Sequence, residues 1–110
     1  METMGTLRRT DYAGTLRESD IGKTITVAGW VARQRDLGSL IFVDLRDRTG
    51  ILQLAFDQNT PKDIFDKAFA LRSEHVIIAS GTLRRRSSVN PELPTGSIEL
   101  EVTTLKVLAT

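Results

Sequence analysis

The sequence predicts an all-β domain with one helix. Five segments alternate apolar and polar side chains with the period of two that a β-strand requires, and turn-forming residues separate them. One segment, which follows the third strand, carries apolar residues at helical spacing over about two turns. The 110 residues, 40% apolar and 26% charged, are the size and composition of a single folded domain.

The first strand is predicted to be long and bent. Residues 24–34 read TITVAGWVARQ, and a short amphipathic helix at 13–19 precedes them. Ile25 and Val27 alternate inward before Gly29, and the inward parity then changes, as a β-bulge at the glycine would produce. The predicted inward pair after the glycine is Trp30 and Ala32, and the predicted outward residues are Val31, Arg33 and Arg35.

The second and third strands are predicted to form a hairpin through the turn Arg48-Thr49-Gly50. The apolar face of the hairpin comprises Ile41, Val43 and Leu45, then Leu52, Leu54 and Phe56. The opposite face carries Phe42 on one strand and Gln53 on the other. An aromatic ring and an amide are therefore expected to share one exposed surface.

A helix and two further strands complete the pattern. Thr60 is the expected N-cap and Pro61 the first helical residue. The apolar stripe of the helix is Ile64, Phe65, Ala68 and Leu71. Strands follow at 75–83 and 98–108, and the second places Ile98, Leu100 and Val102 inward and Glu99 and Glu101 outside.

Three strands, a helix and two strands, with a glycine in a long first strand, are the order of the OB-fold, a five-stranded Greek-key barrel. We expect the barrel at 23–108, after an N-terminal helical extension at 1–22, in one domain spanning 1–110. The fold binds oligonucleotides or sugars across its second and third strands. Phe42 is then a candidate base-stacking platform, and Gln53 a candidate reader of base edges.

Charge and composition narrow the classes of function. The net charge is only +1, which disfavours a sequence-independent polyanion binder, but 11 of the 15 basic residues are arginines. The chain has no cysteine, no apolar run long enough to span a membrane and no apolar leader at its N-terminus. These features exclude disulfides and thiolate metal sites, and we expect a cytoplasmic protein.

The run GWVARQRDLGSLIFVDLRDRTGILQLAF closely resembles the anticodon-binding domain of bacterial aspartyl-tRNA synthetases. The likeness includes RRTDYAGTLRESDIGK before it and SGTLRRR and VNPELPTGSIELEV after it. The resemblance implies a non-catalytic N-terminal domain that binds the aspartate tRNA and needs no cofactor or metal. ATP and Mg would bind in a later catalytic domain, into which we expect the chain to continue past Thr110. The parent enzyme would be a homodimer, and this domain alone a monomer.

The resemblance also implies roles for individual residues on the middle base of the G-U-C anticodon. Phe42 would stack on the uracil and Gln53 would hydrogen-bond its edge, which suits an amide because it offers both a donor and an acceptor. Arg35 would contact the same base or its phosphate.

The two outer anticodon bases have separate predicted contacts. Glu99 would accept hydrogen bonds from the two donors of guanine, while Asn90 with Arg84 and Arg86 would hold the cytosine. Supporting positions are Arg33, Asp36 and Leu37. The sequence departs from the family at Gln34, where an arginine is common, and alternation turns Gln34 away from the binding face. Leu37 resembles the forms that charge only the aspartate tRNA.

Other functions remain open on the sequence. One is a free-standing module for single-stranded oligonucleotides, and another is the equivalent domain of an asparaginyl- or lysyl-tRNA synthetase. A metal-dependent nuclease using Asp44, Asp47 and Asp57 is disfavoured, because Asp44 and Asp47 lie at opposite parity on one strand. The single His75 is expected to be structural or solvated.

Overall fold

The computed structural model describes residues 1–110 as a five-stranded barrel with one helix. The strands are β1 (Thr24–Asp36), β2 (Ile41–Asp47), β3 (Gly50–Phe56), β4 (Val76–Arg85) and β5 (Ile98–Ala109), and the helix α1 is Lys62–Ala70. The barrel closes in the order β1-β2-β3-β5-β4, with β3 and β5 parallel and the other pairs antiparallel. The predicted OB-fold is confirmed, including the helix between the third and fourth strands.

The barrel interior holds one core of 21 buried apolar residues. The predicted inward residues of the hairpin and of β5 are all within it. On α1, Ile64 and Ala68 are buried, with Leu71 just beyond its end and Phe65 packed partly against the core. The predicted helical stripe therefore covers part of the barrel core.

Strand β1 changes partner along its length and contains the bulge at a different position from the predicted one. Its first half pairs with β4 and its second half with β2, and the register shifts between Val31 and Arg33. Val31 is fully buried, whereas Trp30 and Ala32 are half-buried. The predicted phase change at the glycine is wrong, because alternation continues through it and Ala32 is the extra residue.

Gly29 has a different role from the one predicted. A Cβ atom at this position would lie 2.2 Å from the carbonyl oxygen of Arg46 on β2. No side chain fits at that distance, so the glycine lets β2 approach β1 where the barrel bends.

The N-terminal segment forms two 3-10 turns, Ala13–Thr15 and Glu18–Asp20, in place of the predicted helix. The backbone N–H of Ala13 donates to the buried carboxylate of Asp47 at 2.6 Å, and Thr49 donates to the same carboxylate from its N–H and its hydroxyl. Burial raises the pKa of Asp47, but these hydrogen bonds outweigh it and hold the pKa below its ordinary value. Asp47 thus ties the N-terminal segment to the β2–β3 turn.

The start of α1 also differs from the expectation. Pro61, not Thr60, is the N-cap, and no side chain caps the helix. The hydroxyl of Thr60 instead accepts a hydrogen bond from the N–H of Asp57 at 2.8 Å and closes the turn after β3. No helix of the chain has the length and hydrophobicity needed to cross a membrane.

Candidate nucleic-acid interface

Strand pairing places five polar side chains in one row across the outer surface of the barrel. Four of them are predicted site residues, and Asp44 is the fifth. The paired positions, from β1 through β2, β3 and β5 to β4, are Arg33, Asp44, Gln53, Glu99 and Arg84. Directly opposed residues share a face, so side chains far apart in sequence meet on one side of the barrel. The neighbouring row begins with Arg35 opposite Phe42.

A chain of hydrogen bonds connects the residues of these two rows. Arg35 Nη2 donates to Gln53 Oε1 at 2.8 Å, and Gln53 Nε2 donates to Glu99 Oε1 at 2.7 Å. Arg84 Nε then donates to Glu99 Oε2 at 2.8 Å. The direction of each bond follows from the chemistry, because guanidinium groups only donate and a carboxylate only accepts. The orientation of the Gln53 amide is therefore determined by its two neighbours.

Gln53 and Glu99 are less accessible than predicted, although both lie on the outer face. Gln53 is 5% exposed and Glu99 is 6% exposed. The expectation that Gln53 is exposed, and that Glu99 lies open outside the barrel, is wrong because neighbouring side chains cover both. Each keeps hydrogen-bonding capacity: the amide retains one N–H and one lone pair, and each carboxylate oxygen retains a lone pair. A base reaching them has donors and acceptors to read.

Phe42 stands on the outer face, as the hairpin pattern predicts, and is half-buried. The guanidinium carbon of Arg35 lies 5.1 Å from the centroid of its ring. This distance is within the range of a cation–π contact. Arg35 is held between the ring and the Gln53 amide, so one arginine positions both side chains.

Arg84 is surrounded by carboxylates. Besides Glu99 it contacts Glu101 Oε2 at 2.7 Å from Nη1 and Asp57 Oδ2 at 3.2 Å from Nη2. Burial lowers the pKa of Arg84, but the hydrogen bond and charge of Glu99, with the hydrogen bond of Asp57 and the charge of Glu101, outweigh it and raise the pKa above its ordinary value. One guanidinium thus faces three carboxylates, and this end of the site carries excess negative charge.

Two of the carboxylates that contact Arg84, Glu101 and Asp57, were not predicted from the sequence as site residues. Glu101 lies two residues after Glu99 on β5, so its shared parity was a usable signal. Asp57 follows β3 and reaches Arg84 across 27 positions of the chain, which no local pattern indicates.

The remaining predicted site residues lie outside the hydrogen-bond chain. The side-chain oxygen of Asn90 accepts from the N–H of Glu92 at 3.0 Å, and its backbone pairs with Gly96, which shapes the β4–β5 loop. The backbone N–H of Arg86 donates a hydrogen bond to the carbonyl oxygen of Ser97 at 2.9 Å and so holds the same loop. Asp36 accepts from the N–H of Gly38 in the β1–β2 loop, where the adjacent Leu37 is 61% exposed.

Gln34 points away from this surface, as alternation predicts. Its Nε2 donates to the carbonyl oxygens of Ala68 at 2.9 Å and Phe69 at 3.0 Å. These carbonyls belong to the last turn of α1, where Ala68 O also accepts a hydrogen bond from the backbone N–H of Leu71 at 3.2 Å. Gln34 therefore fastens the end of α1 to β1. No group of three or more histidine, aspartate or glutamate side chains is arranged to hold a metal ion.

Comparison with known proteins identifies similar sequences and folds. Residues 25–108 match the family model described as OB-fold nucleic acid binding domain. The aspartate–tRNA ligase of Clostridium acetobutylicum is 49% identical over 108 residues, which cover 98% of this chain and 18% of the relative. The chain thus spans less than a fifth of that protein. The resemblance to bacterial aspartyl-tRNA synthetases is confirmed.

Two solved structures share the fold. The asparaginyl-tRNA synthetase of Pyrococcus horikoshii, in complex with asparaginyl-adenylate, superposes with a TM-score of 0.79 at 28% identity and covers 96% of this chain and 23% of its own. An OBody bound to hen egg-white lysozyme gives a TM-score of 0.85 at 23% identity, covering 94% of this chain and 96% of its own. The second likeness concerns the fold alone.

Proposed function

Because the chain belongs to the OB-fold nucleic acid binding domain family, we propose that it is the anticodon-binding domain of an aspartate–tRNA ligase. The parent enzyme would join aspartate to its tRNA with ATP and Mg bound in a separate catalytic domain. This domain would contribute recognition of the G-U-C anticodon and no catalytic residue. The parent would act in the cytoplasm as a homodimer, and the domain alone would be a monomer.

The hydrogen-bond chain from Arg35 through Gln53 to Glu99, beside the Phe42 ring, carries this proposal. Single-stranded bases bind proteins by stacking on aromatic rings and by hydrogen bonds to their exposed edges. Phe42 supplies the ring, and Gln53 supplies one free donor and one free acceptor for uracil. Because Arg35 orients Gln53, the amide presents one defined edge to the base.

Glu99 is the proposed reader of guanine. A carboxylate repels phosphates, so a buried one on a nucleic-acid-binding surface is best used on a base that presents two donors. Arg84 holds the carboxylate through Nε while its other nitrogens contact Glu101 and Asp57. We therefore assign Arg84 chiefly to positioning Glu99.

Since Arg84 positions Glu99, we assign contact with the cytosine mainly to Arg86 and Asn90. Both lie at the β4–β5 loop, which begins next to the β4 end of the polar row. Arg86 is half-buried and Asn90 is partly exposed, so both side chains retain accessible surface for a splayed base. Neither side chain hydrogen-bonds to Gln53 or Glu99, so the cytosine would have its own contacts.

Binding of RNA stem-loops to the chain tests the proposal. Stem-loops with G-U-C, A-U-C, G-A-C and G-U-U in the loop should be titrated at one salt concentration, because phosphate contacts make affinity salt-dependent. We expect G-U-C to bind most tightly, with each changed base costing ~1 to 3 kcal/mol. Equal affinity for all four loops would contradict the proposal and would favour a free-standing oligonucleotide-binding module that has no base preference. A preference for G-U-U would instead indicate an asparagine-type domain.

A further inference from the structure

We propose that an outer surface formed by Arg9, Tyr12, Arg46 and Arg48, the arginine ledge, binds the phosphate backbone of the RNA stem that adjoins the bases read at the Phe42 site. This inference rests on the proposed function and extends it from the loop bases to the paired stem. It assigns a second contact site to residues outside the predicted anticodon set.

The arginines of the ledge differ from those at the end of β4 in their ion pairing. The arginine ion pairs are those of Arg84 and Arg85, at the end of β4. Arg9, Arg46 and Arg48 are exposed and form no ion pair, although the chain has 14 acidic residues. These three guanidinium groups therefore carry charge that no carboxylate of the chain neutralises.

Tyr12 organises two of these arginines. The guanidinium carbon of Arg9 lies 4.2 Å from the ring centroid of Tyr12, and that of Arg48 lies 4.5 Å from it. Arg9 Nη2 also donates to the Tyr12 hydroxyl at 3.2 Å. Two cations held at one ring lose less side-chain freedom when they bind a phosphate.

The ledge lies toward the β2–β3 turn, at the other end of β2 from Phe42. Phe42 and Arg46 lie on the same face of β2, four residues apart, which corresponds to about 13 Å. Arg46 lies opposite Trp30 in the β1–β2 register, and Trp30, Arg48, Arg9, Tyr12 and the buried Asp47 line a groove of about 330 Å³. Nucleotides flanking a base stacked on Phe42 would pass over Arg46 toward this groove.

The charge of the base-reading site supports the same assignment. Arg84 faces three carboxylates there, so that end of the site repels phosphate. The Arg84 end of the site therefore supplies little of the attraction for phosphates on which the binding of nucleic acids strongly depends. The ledge presents three exposed arginines that form no ion pair, and the acids near it are Asp44 on β2, Asp11 next to Tyr12 and the buried Asp47.

The test compares two probes, the G-U-C stem-loop and a linear oligonucleotide with the sequence of its loop. The variant is Arg46→Gln combined with Arg48→Gln, and Arg9→Gln is a second variant. The matched control is Arg85→Gln, which removes an exposed arginine that is already paired with Glu18. Thermal unfolding of each variant shows that it is folded.

We expect the double variant to bind the stem-loop about two- to fivefold more weakly for each arginine replaced, as for exposed ion pairs. The slope of log affinity against log salt should fall by about 0.9 for each phosphate that is no longer neutralised. Binding of the linear probe and the preference for G-U-C over A-U-C should change little, and the control should match the unmodified protein.

Equal weakening on both probes would overturn the proposal, because the arginines would then contact the loop. Unchanged stem-loop affinity would also overturn the proposal and would favour a protein partner for this surface. Failure of the unmodified chain to prefer G-U-C is a separate result that would instead refute the proposed function.

Discussion

Replacing Glu99 with glutamine is the most informative perturbation, because the structure predicts effects on both stability and base discrimination. Two donors face the carboxylate, Gln53 Nε2 at 2.7 Å and Arg84 Nε at 2.8 Å. An amide offers one acceptor oxygen and one N–H₂ group. Whichever way it turns, one of the two neighbours meets a donor where it had an acceptor.

Rotation of Gln53 does not relieve the mismatch. If the Gln53 amide flips to accept from the new amide, its own N–H₂ group then faces Arg35 Nη2, which now donates to Gln53 Oε1 at 2.8 Å. The flip therefore transfers the unpaired donor from one hydrogen bond of the series to the next and does not remove it. Leaving one such group unsatisfied costs about 1 to 3 kcal/mol. We expect the free energy of unfolding to fall by this amount.

The same substitution should reduce discrimination for guanine. A bidentate contact to a base carries about 1 to 3 kcal/mol, so the affinity ratio of G-U-C to A-U-C should fall by about five- to 150-fold. Chemical denaturation measures the first effect, and fluorescence titration of both stem-loops at fixed salt measures the second. Binding to unrelated RNA should stay level or tighten, since a negative charge is removed.

Glu101→Gln is the matched control, because Glu101 also contacts Arg84 but has a side chain that is 37% exposed. It should leave the G-U-C to A-U-C ratio unchanged. A Glu99→Gln protein that is destabilised yet keeps its ratio would refute the reasoning, and Glu99 would then be a structural link between Gln53 and Arg84.

Three further predictions concern the platform, the N-terminal segment and the barrel bend. Phe42→Ala should weaken stem-loop binding by ~1 to 3 kcal/mol in titrations with little change in thermal unfolding, and Phe69→Ala, at a 55% exposed aromatic on α1, is the control that should change neither. Asp47→Asn should destabilise the protein near neutral pH, where the charged carboxylate accepts its hydrogen bonds. Since the folded pKa lies below the ordinary 3.8, the stability difference measured by denaturation should hold above about pH 4 and shrink as the pH falls through the folded pKa; a constant difference down to pH 2 would contradict this. Gly29→Ala should lower stability by about 1 to 3 kcal/mol or more through its clash with Arg46, and an unchanged unfolding curve would show that β2 can move away.

The sequence by itself determined the order of the elements and the face on which most side chains lie. Alternation along a strand is a local property, so the core positions of β2, β3 and β5 and the outward Phe42, Gln53 and Glu99 could be read directly. The resemblance to synthetase domains pointed to the same residues. Alternation did not locate the bulge of β1, because Val31 and its neighbours Trp30 and Ala32 are all apolar and fit either parity.

Only the tertiary structure decided how the outward polar side chains are connected. Gln53 and Glu99 are 46 residues apart, and their hydrogen bond exists because β3 and β5 pair in parallel at those two positions. The burial of both, and the meeting of Asp57 with Arg84, likewise depend on barrel closure. A strand pattern specifies which face a side chain occupies, whereas its partners depend on which strand lies alongside and in what register.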